Sequence, residues 1–199
     1  MTTAEFWPEK GIQRCDWLPV NRDSAPFGLS GDSIAVAYGE PHFTLSVSVA
    51  APPGSQLARD WSTFMRRRKG RQVTFSANRP FQSFPVNPAI VSDSTLAVAA
   101  SDRAASTVTL SGPDSTLSQP SDMIGFFTAN SGFYVGEIVT ALGGGTFEVW
   151  PPPFNPHAST ANPRRIKALG EFRMDGDFAP KEAHDGWSLR FTATQVIRK

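Results

Sequence analysis

Apolar and polar positions alternate with a period of two from Ser33 to Ala51, in "SIAVAYGEPHFTLSVSVAA", on both sides of "YGEP". Such alternation marks half-buried strands, and Gly39 with Pro41 supplies a turn, so the stretch predicts a β-hairpin. Phe43, Leu45, Val47 and Val49 share one face, and His42, Thr44, Ser46 and Ser48 share the other. After "PPGS" the period lengthens. Leu57, Trp61, Phe64 and Met65 recur three and four residues apart as a core-facing stripe, with Ser55 as N-cap and Gly70 as C-cap. This predicts one amphipathic helix over about 55–69, the principal helix of the chain.

Beyond Gly70, "RQVTFSANRPFQSFP" reads as a strand followed by an aromatic, proline-punctuated loop. The texture then changes to a charge-poor block dense in Ser, Thr, Ala and Gly. Within it "STVTLSG", "MIGFFTA", "GFYVGEIVTA" and "TFEVWPPPF" are short β-like runs, and "ALGGGTFEVW" holds a tight glycine turn. Their spacing predicts a small β-barrel or β-sandwich. After "WPPPFNP" and "HASTANPRR", the runs "IKALGEFRMDGDF" and "GWSLRFTATQVI" return to strands. The last alternates Trp187, Leu189, Phe191 and Ala193 against Ser188, Arg190, Thr192 and Thr194, and its natural partner is the strand of the first hairpin. The expected fold is therefore mainly β with one helix. Residues 1–87 and 167–199 form a discontinuous β-rich domain, and residues 88–166 form an inserted all-β domain.

Composition sharpens this picture at three points. With 40% hydrophobic and 19% charged residues the chain is globular, and 17 Pro with 16 Gly make it rich in turns. The single cysteine, Cys15, has no internal disulfide partner and is expected as a buried thiol rather than a reactive one. No signal peptide and no apolar run of about 18 residues is visible, so a soluble protein made in the cytoplasm, with no membrane partner, is expected.

Charge poses the sharpest question. Arg66, Arg67, Arg68, Lys69 and Arg71 crowd six positions at the end of the predicted helix. Clustered cations usually mark nucleic-acid binding. Here 19 Lys+Arg face 18 Asp+Glu, a formal net charge of +1, so the long-range field that concentrates a polyanion is weak and nucleic acid is not the expected partner. The negative end of the helix dipole favours cations by roughly 0.3–1 kcal/mol each, which accounts for part of the run. The surplus points to a partner surface or an ion-pair network.

Catalytic patterns are missing from the sequence. There is no GxSxG, and His42, His157 and His184 lie far apart in unlike segments. Asp175 and Asp177 flank a glycine but lack the remaining ligands of a calcium loop, and a β-turn is the favoured reading. The triplet 143–145 lacks the Lys-Ser/Thr of a phosphate loop. Paired carboxylates for glycoside hydrolysis have no positive support. The expectation is a protein without catalytic, cofactor or metal residues, and not an enzyme. Trp61 and Trp187 sit on apolar faces and are expected in the core; Trp7, Trp17 and Trp150 lie near prolines, where packing is favoured over a stacking platform.

The helix "LARDWSTFMRRRKGR" sits after a strand, with Trp61, Phe64, Gly70 and Arg71 at W-x-x-F-x-x-x-x-x-G-R spacing. It resembles a helix of the minor tail and distal tail proteins of tailed bacteriophages. "FEVWPPPF" resembles the strand-then-proline segment of the β-rich insert in that family. The basic run here is denser than is usual in it. The resemblance implies a virion structural protein of the tail tip or baseplate hub, assembled in the host cytoplasm into a homo-oligomeric ring, hexameric or trimer-related, that joins tail tube to hub, fibres or spike. Under it, Arg66, Arg67, Arg68, Lys69 and Arg71 contact a neighbouring subunit or ring. Three alternatives stand beside it: a head-to-tail adaptor or other virion component, a carbohydrate-binding β module, and a nucleic-acid-binding module using the basic run with Phe75 and Phe81.

Overall fold

The computed structural model describes residues 5–21, 23–24, 36–37, 40–68, 73–128, 132–153, 163–176, 180–183 and 186–196. Its strands are β1 (Glu5–Phe6), β2 (Ile12–Val20), β3 (Asp23–Ser24), β4 (Val36–Ala37), β5 (His42–Ala51), β6 (Phe75–Asn78), β7 (Ala97–Asp102), β8 (Thr107–Ser111), β9 (Met123–Thr128), β10 (Gly132–Gly143), β11 (Thr146–Trp150), β12 (Leu169–Met174), β13 (Lys181–Ala183) and β14 (Gly186–Gln195). Among them lies a single helix, α1 (Gln56–Arg68). The fold is mainly β with one helix, as the two hydrophobic periods predict.

A seven-stranded sheet runs in the order β1-β6-β12-β14-β5-β2, with β13 beside the first part of β14. The β1–β6 pair is parallel and the others are antiparallel. The register of β14 against β5 sets Leu189 opposite Val49, Phe191 opposite Val47 and Ala193 opposite Leu45, so both alternating sets face the same side. All of these side chains are buried. Helix α1 closes over that layer. Trp61 packs edge-on against Phe64 at 5.7 Å and lies 6.1 Å from Phe191, while Phe64 meets Phe75 at 5.4 Å. Full burial of such side chains stabilises by about 1.5–3 kcal/mol each.

The pairing corrects the predicted hairpin. β4 pairs with β3, and β5 lies between β14 and β2. Residues 33–35 of the expected first strand and 38–39 of the expected turn lie outside the described residues. Alternation located β5 and its buried face, but a central strand takes both neighbours from wherever the chain returns, here from 12–20 and 186–195.

The second sheet, β7-β8-β11-β10-β9, wraps one apolar cluster that includes Val98, Val108, Phe126, Tyr134, Ile138 and Phe147. Its strands come from 97–150, and those of the first sheet from before 79 and after 168. The two sheets touch through β9, β10 and β12. Met123 and Val135 join the core of the first sheet. Gly125 exchanges backbone hydrogen bonds with Arg164 at 2.8 and 2.6 Å. A Cβ on Gly125 would stand 2.8 Å from the Leu169 nitrogen, and one on Gly170 would stand 2.3 Å from Val135 Cγ1. Only glycine permits these approaches. The Gln195 amide completes the seam: its Nε2 donates to Val135 O at 2.9 Å, and its Oε1 accepts from Phe43 N at 3.0 Å.

Buried charge fastens the crossing segments. Arg165 donates from Nε to Asp93 Oδ1 at 3.0 Å, and from Nη1 to Asp114 O at 2.8 Å and Ser118 Oγ at 3.1 Å. Asp93 Oδ2 in turn accepts both Arg165 N and Ile166 N at 2.9 Å. One carboxylate and one guanidinium thereby join the chain entering the second sheet to the chain leaving it.

Candidate interaction surface

Ser55 caps α1, its Oγ accepting Ala58 N at 3.3 Å and its carbonyl accepting Arg59 N at 3.2 Å. Trp61 and Phe64 are buried, Leu57 and Met65 are half-buried against the same core, and Ala58 is a fifth member of the stripe that the spacing did not single out. Trp61 also reaches past the helix, donating from Nε1 to Lys10 O at 2.8 Å.

The basic end of α1 divides. Arg66 and Arg67 are exposed, whereas Arg68 is only 2% exposed. Its guanidinium carbon lies 4.8 Å over the Phe64 ring, and its Nη1 donates to Thr74 O at 2.7 Å. The Thr74 hydroxyl donates in turn to the buried Glu171 Oε1 at 2.5 Å. Arg68 is thus withdrawn from the surface expected of it and ties the helix end to β12 through Thr74, the residue just before β6. Lys69, Gly70 and Arg71 lie outside the described residues.

The tryptophans pack. Trp7 and Trp17 are buried, and Trp150 is half-buried. Phe43 bridges Trp17 at 5.4 Å and Trp150 at 4.9 Å, both edge-on, and Trp150 Nε1 donates to Asn21 Oδ1 at 3.2 Å. Phe75, a candidate for base stacking, is fully buried in the first core. Phe81 is different. Together with Phe84, Val86 and Val91 it projects from the connector between β6 and β7, at exposures of 64%, 71%, 59% and 81%. Sequence periodicity carries no signal for this, because the stretch follows neither period.

The remaining candidates are structural or undescribed. His42 is buried, with Nδ1 2.8 Å from Glu40 O, while His157 and His184 lie outside the described residues. Asp175 accepts a hydrogen bond from Thr194 Oγ1 at 2.7 Å, and Asp177 is not described. Residues 143–145 form the β10–β11 turn, all three glycines at positive φ. Among the described residues no three His, Cys, Asp or Glu side chains are grouped as a metal site. No helix of the described residues is long and apolar enough to cross a membrane. Cys15 is half-buried rather than buried as expected, and its desolvation raises the thiol pKa to about 12, so it is protonated at neutral pH. Burial likewise raises the Tyr134 hydroxyl, which donates to Pro151 O at 2.6 Å.

The class defined by this arrangement is a mainly β protein of two abutting sheets and one helix, whose outward features are a pair of arginines and an apolar connector. No protein-family model and no curated protein matches the chain.

Proposed function

We propose that the chain is a structural component of a tailed-phage virion, a distal tail or tail-tip ring protein that links tail tube to hub, fibres or spike. The observation that carries this reading is the place of β14. The last described strand of the chain sits inside the first sheet between β5 and β12, next to a layer covered by α1, and the whole second sheet is threaded between the two parts. A first domain closed by a late strand around a β-rich insert is what the resemblance implies, and this topology supports the reading. In this reading Arg66 and Arg67 meet an acidic surface on a neighbouring subunit or ring. Each exposed ion pair contributes only about 0.2–1 kcal/mol, so the pair selects orientation more than it supplies affinity.

Reversal differs from removal, because like charges juxtaposed at an interface cost several kcal/mol. Light scattering and negative-stain images of the purified protein test the reading: closed rings of one symmetry are expected, and an R66E/R67E variant is expected to stay folded and fail to close them. Intact rings from that variant would eliminate the role given to these arginines. A protein that never forms rings would count against the ring itself.

A further inference from the structure

We infer that the connector between the two sheets, residues 79–91, is a self-association surface on which a second copy of this chain seats, with Phe81 and Phe84 as its anchors. The inference rests on the homo-oligomeric part of the preceding proposal and assigns it a surface.

The exposure of these side chains is built into the fold. The Ser83 hydroxyl lies 3.0 Å from Arg79 O and 3.1 Å from Pro80 O, donating toward both, and Ser83 O accepts Lys167 N at 2.7 Å. Val86 N donates to the buried Asp122 Oδ1 at 2.6 Å, and Asn87 Nδ2 to Leu117 O at 3.2 Å. Ile90 is turned inward and buried. A connector pinned at 83, 86, 87 and 90 presents Phe81, Phe84 and Val86 outward as a fixed surface. β10 adds a further exposed apolar side chain. Asp122 O accepts Ile138 N at 2.8 Å, and the next residue, Val139, is 49% exposed.

Charge, area and the sheet edges point to a second copy as the occupant. Residues 80–92, "PFQSFPVNPAIVS", include no charged side chain; Arg79, which precedes them, faces Glu137 at 3.7 Å, and Asp93, which follows, faces Arg165. Such a surface offers nothing to steer a charged partner, and two copies of a chain with net charge +1 repel each other little. At 150–250 Å² for a whole aromatic side chain and less for valine, the exposed parts amount to on the order of 500 Å² of apolar surface. A standard interface takes about 800 Å² per partner, and same-chain interfaces are about 65% apolar, which calls for roughly that apolar area. Strand-edge pairing is the other route to assembly, and these edges are guarded. β2 carries Pro19 and a register shift, β1 has two residues, β13 has three and carries Lys181 and Glu182, β7 has a shift after Val98, and Gly125 of β9 is bonded to Arg164.

The test compares wild type with an F81S/F84S variant of the full chain by sedimentation velocity over a concentration series and by negative stain, with near-UV circular dichroism as the check of fold. Wild type is expected to associate to multiples of 21.6 kDa. The variant is expected to associate roughly thirtyfold more weakly or worse, the loss brought by truncating central aromatic anchors. A folded variant that associates like wild type, or a wild type monomeric at every concentration, overturns the inference. Rings that persist in the variant overturn it while leaving the ring proposal standing. Association without closed rings, abolished in the variant, supports it while the ring proposal falls. If the variant loses its fold, a photo-crosslinking p-benzoylphenylalanine at position 84 decides: covalent dimers support the surface, and their absence refutes it.

Discussion

Asp93→Ala is predicted to destabilise the protein more than Arg165→Met, although the two residues form one ion pair. Arg165 is 0% and Asp93 12% exposed at the side chain, so either change breaks a desolvated pair. Removing one partner of a buried pair costs about 3–5 kcal/mol because the other charge stays behind uncompensated. The two vacancies differ. Without Arg165, the Asp93 carboxylate still accepts Ile166 N and the backbone nitrogen of residue 165, and its partial exposure lets water approach. The loss then falls near the bottom of that range or just below it, about 2–3 kcal/mol. Without Asp93, the guanidinium keeps only its bonds to Asp114 O and Ser118 Oγ, and two backbone N–H groups lose their acceptor at once. That places Asp93→Ala at the upper end, about 4–5 kcal/mol, against a typical total of 5–15 kcal/mol. The double variant should cost less than the sum of the two, since the stranded charge disappears with its partner. Urea titration followed by circular dichroism measures all three. An Arg165→Met cost equal to or above that of Asp93→Ala, or a strictly additive double variant, would refute the reasoning.

Further outcomes follow from the seam and the thiol. Gly125→Ala should lower the melting temperature more than Gly170→Ala, because its new Cβ meets backbone atoms of Leu169 that cannot yield, whereas at Gly170 the obstacles are the side chains of Val135 and Phe172; overpacking of this kind costs about 1–3 kcal/mol, readable in a thermal melt. Cys15 should label slowly with a thiol reagent near neutral pH and fast once the chain is unfolded. Because burial raises its folded pKa from 9.0 to about 12, its contribution to stability is complete below pH 9 and is lost as pH rises from there toward 12. A Cys15→Ser variant, which cannot ionise in that window, should show a shallower fall in denaturation midpoint over it, and identical slopes would refute the assignment.

The sequence was most legible where one element faces one core. β5 and β14 alternate cleanly because both are central strands with α1 over one side, and α1 shows its own period for the same reason. β2 gave no such signal. As an edge strand it buries Trp17 alone among nine residues, carries Pro19 and slips register near Arg14, so its alternation is broken at every point where a reader would seek it. The false hairpin has a related cause. Local turn residues at Gly39 and Pro41 suggest pairing with the preceding segment, but the long strand gains more from matching its apolar face to β14, more than a hundred residues on, than from the short β4. Pairing across that distance leaves no local mark.

At the candidate surface, reading by charge hid a residue that reading by period would have found. Position 68 follows Trp61 by seven residues and Phe64 by four, so the same stripe that buries those rings predicts a buried side chain there whatever its type. An arginine satisfies the position because its long stem packs in the core, its planar head lies over Phe64, and a carbonyl waits at Thr74. Arg66 and Arg67 fall on the opposite arc and stay exposed. A run of like residues on a helix is therefore never one surface: a 3.6-residue turn distributes it, and any account of α1 as a docking element must begin from two arginines rather than from the whole run. The connector is the converse case. Phe81 and Phe84 belong to no period, so the sequence offers no face to assign them to. Their exposure follows from polar bonds made by their neighbours Ser83 and Val86 to segments 122 and 167, which only the folded chain brings together.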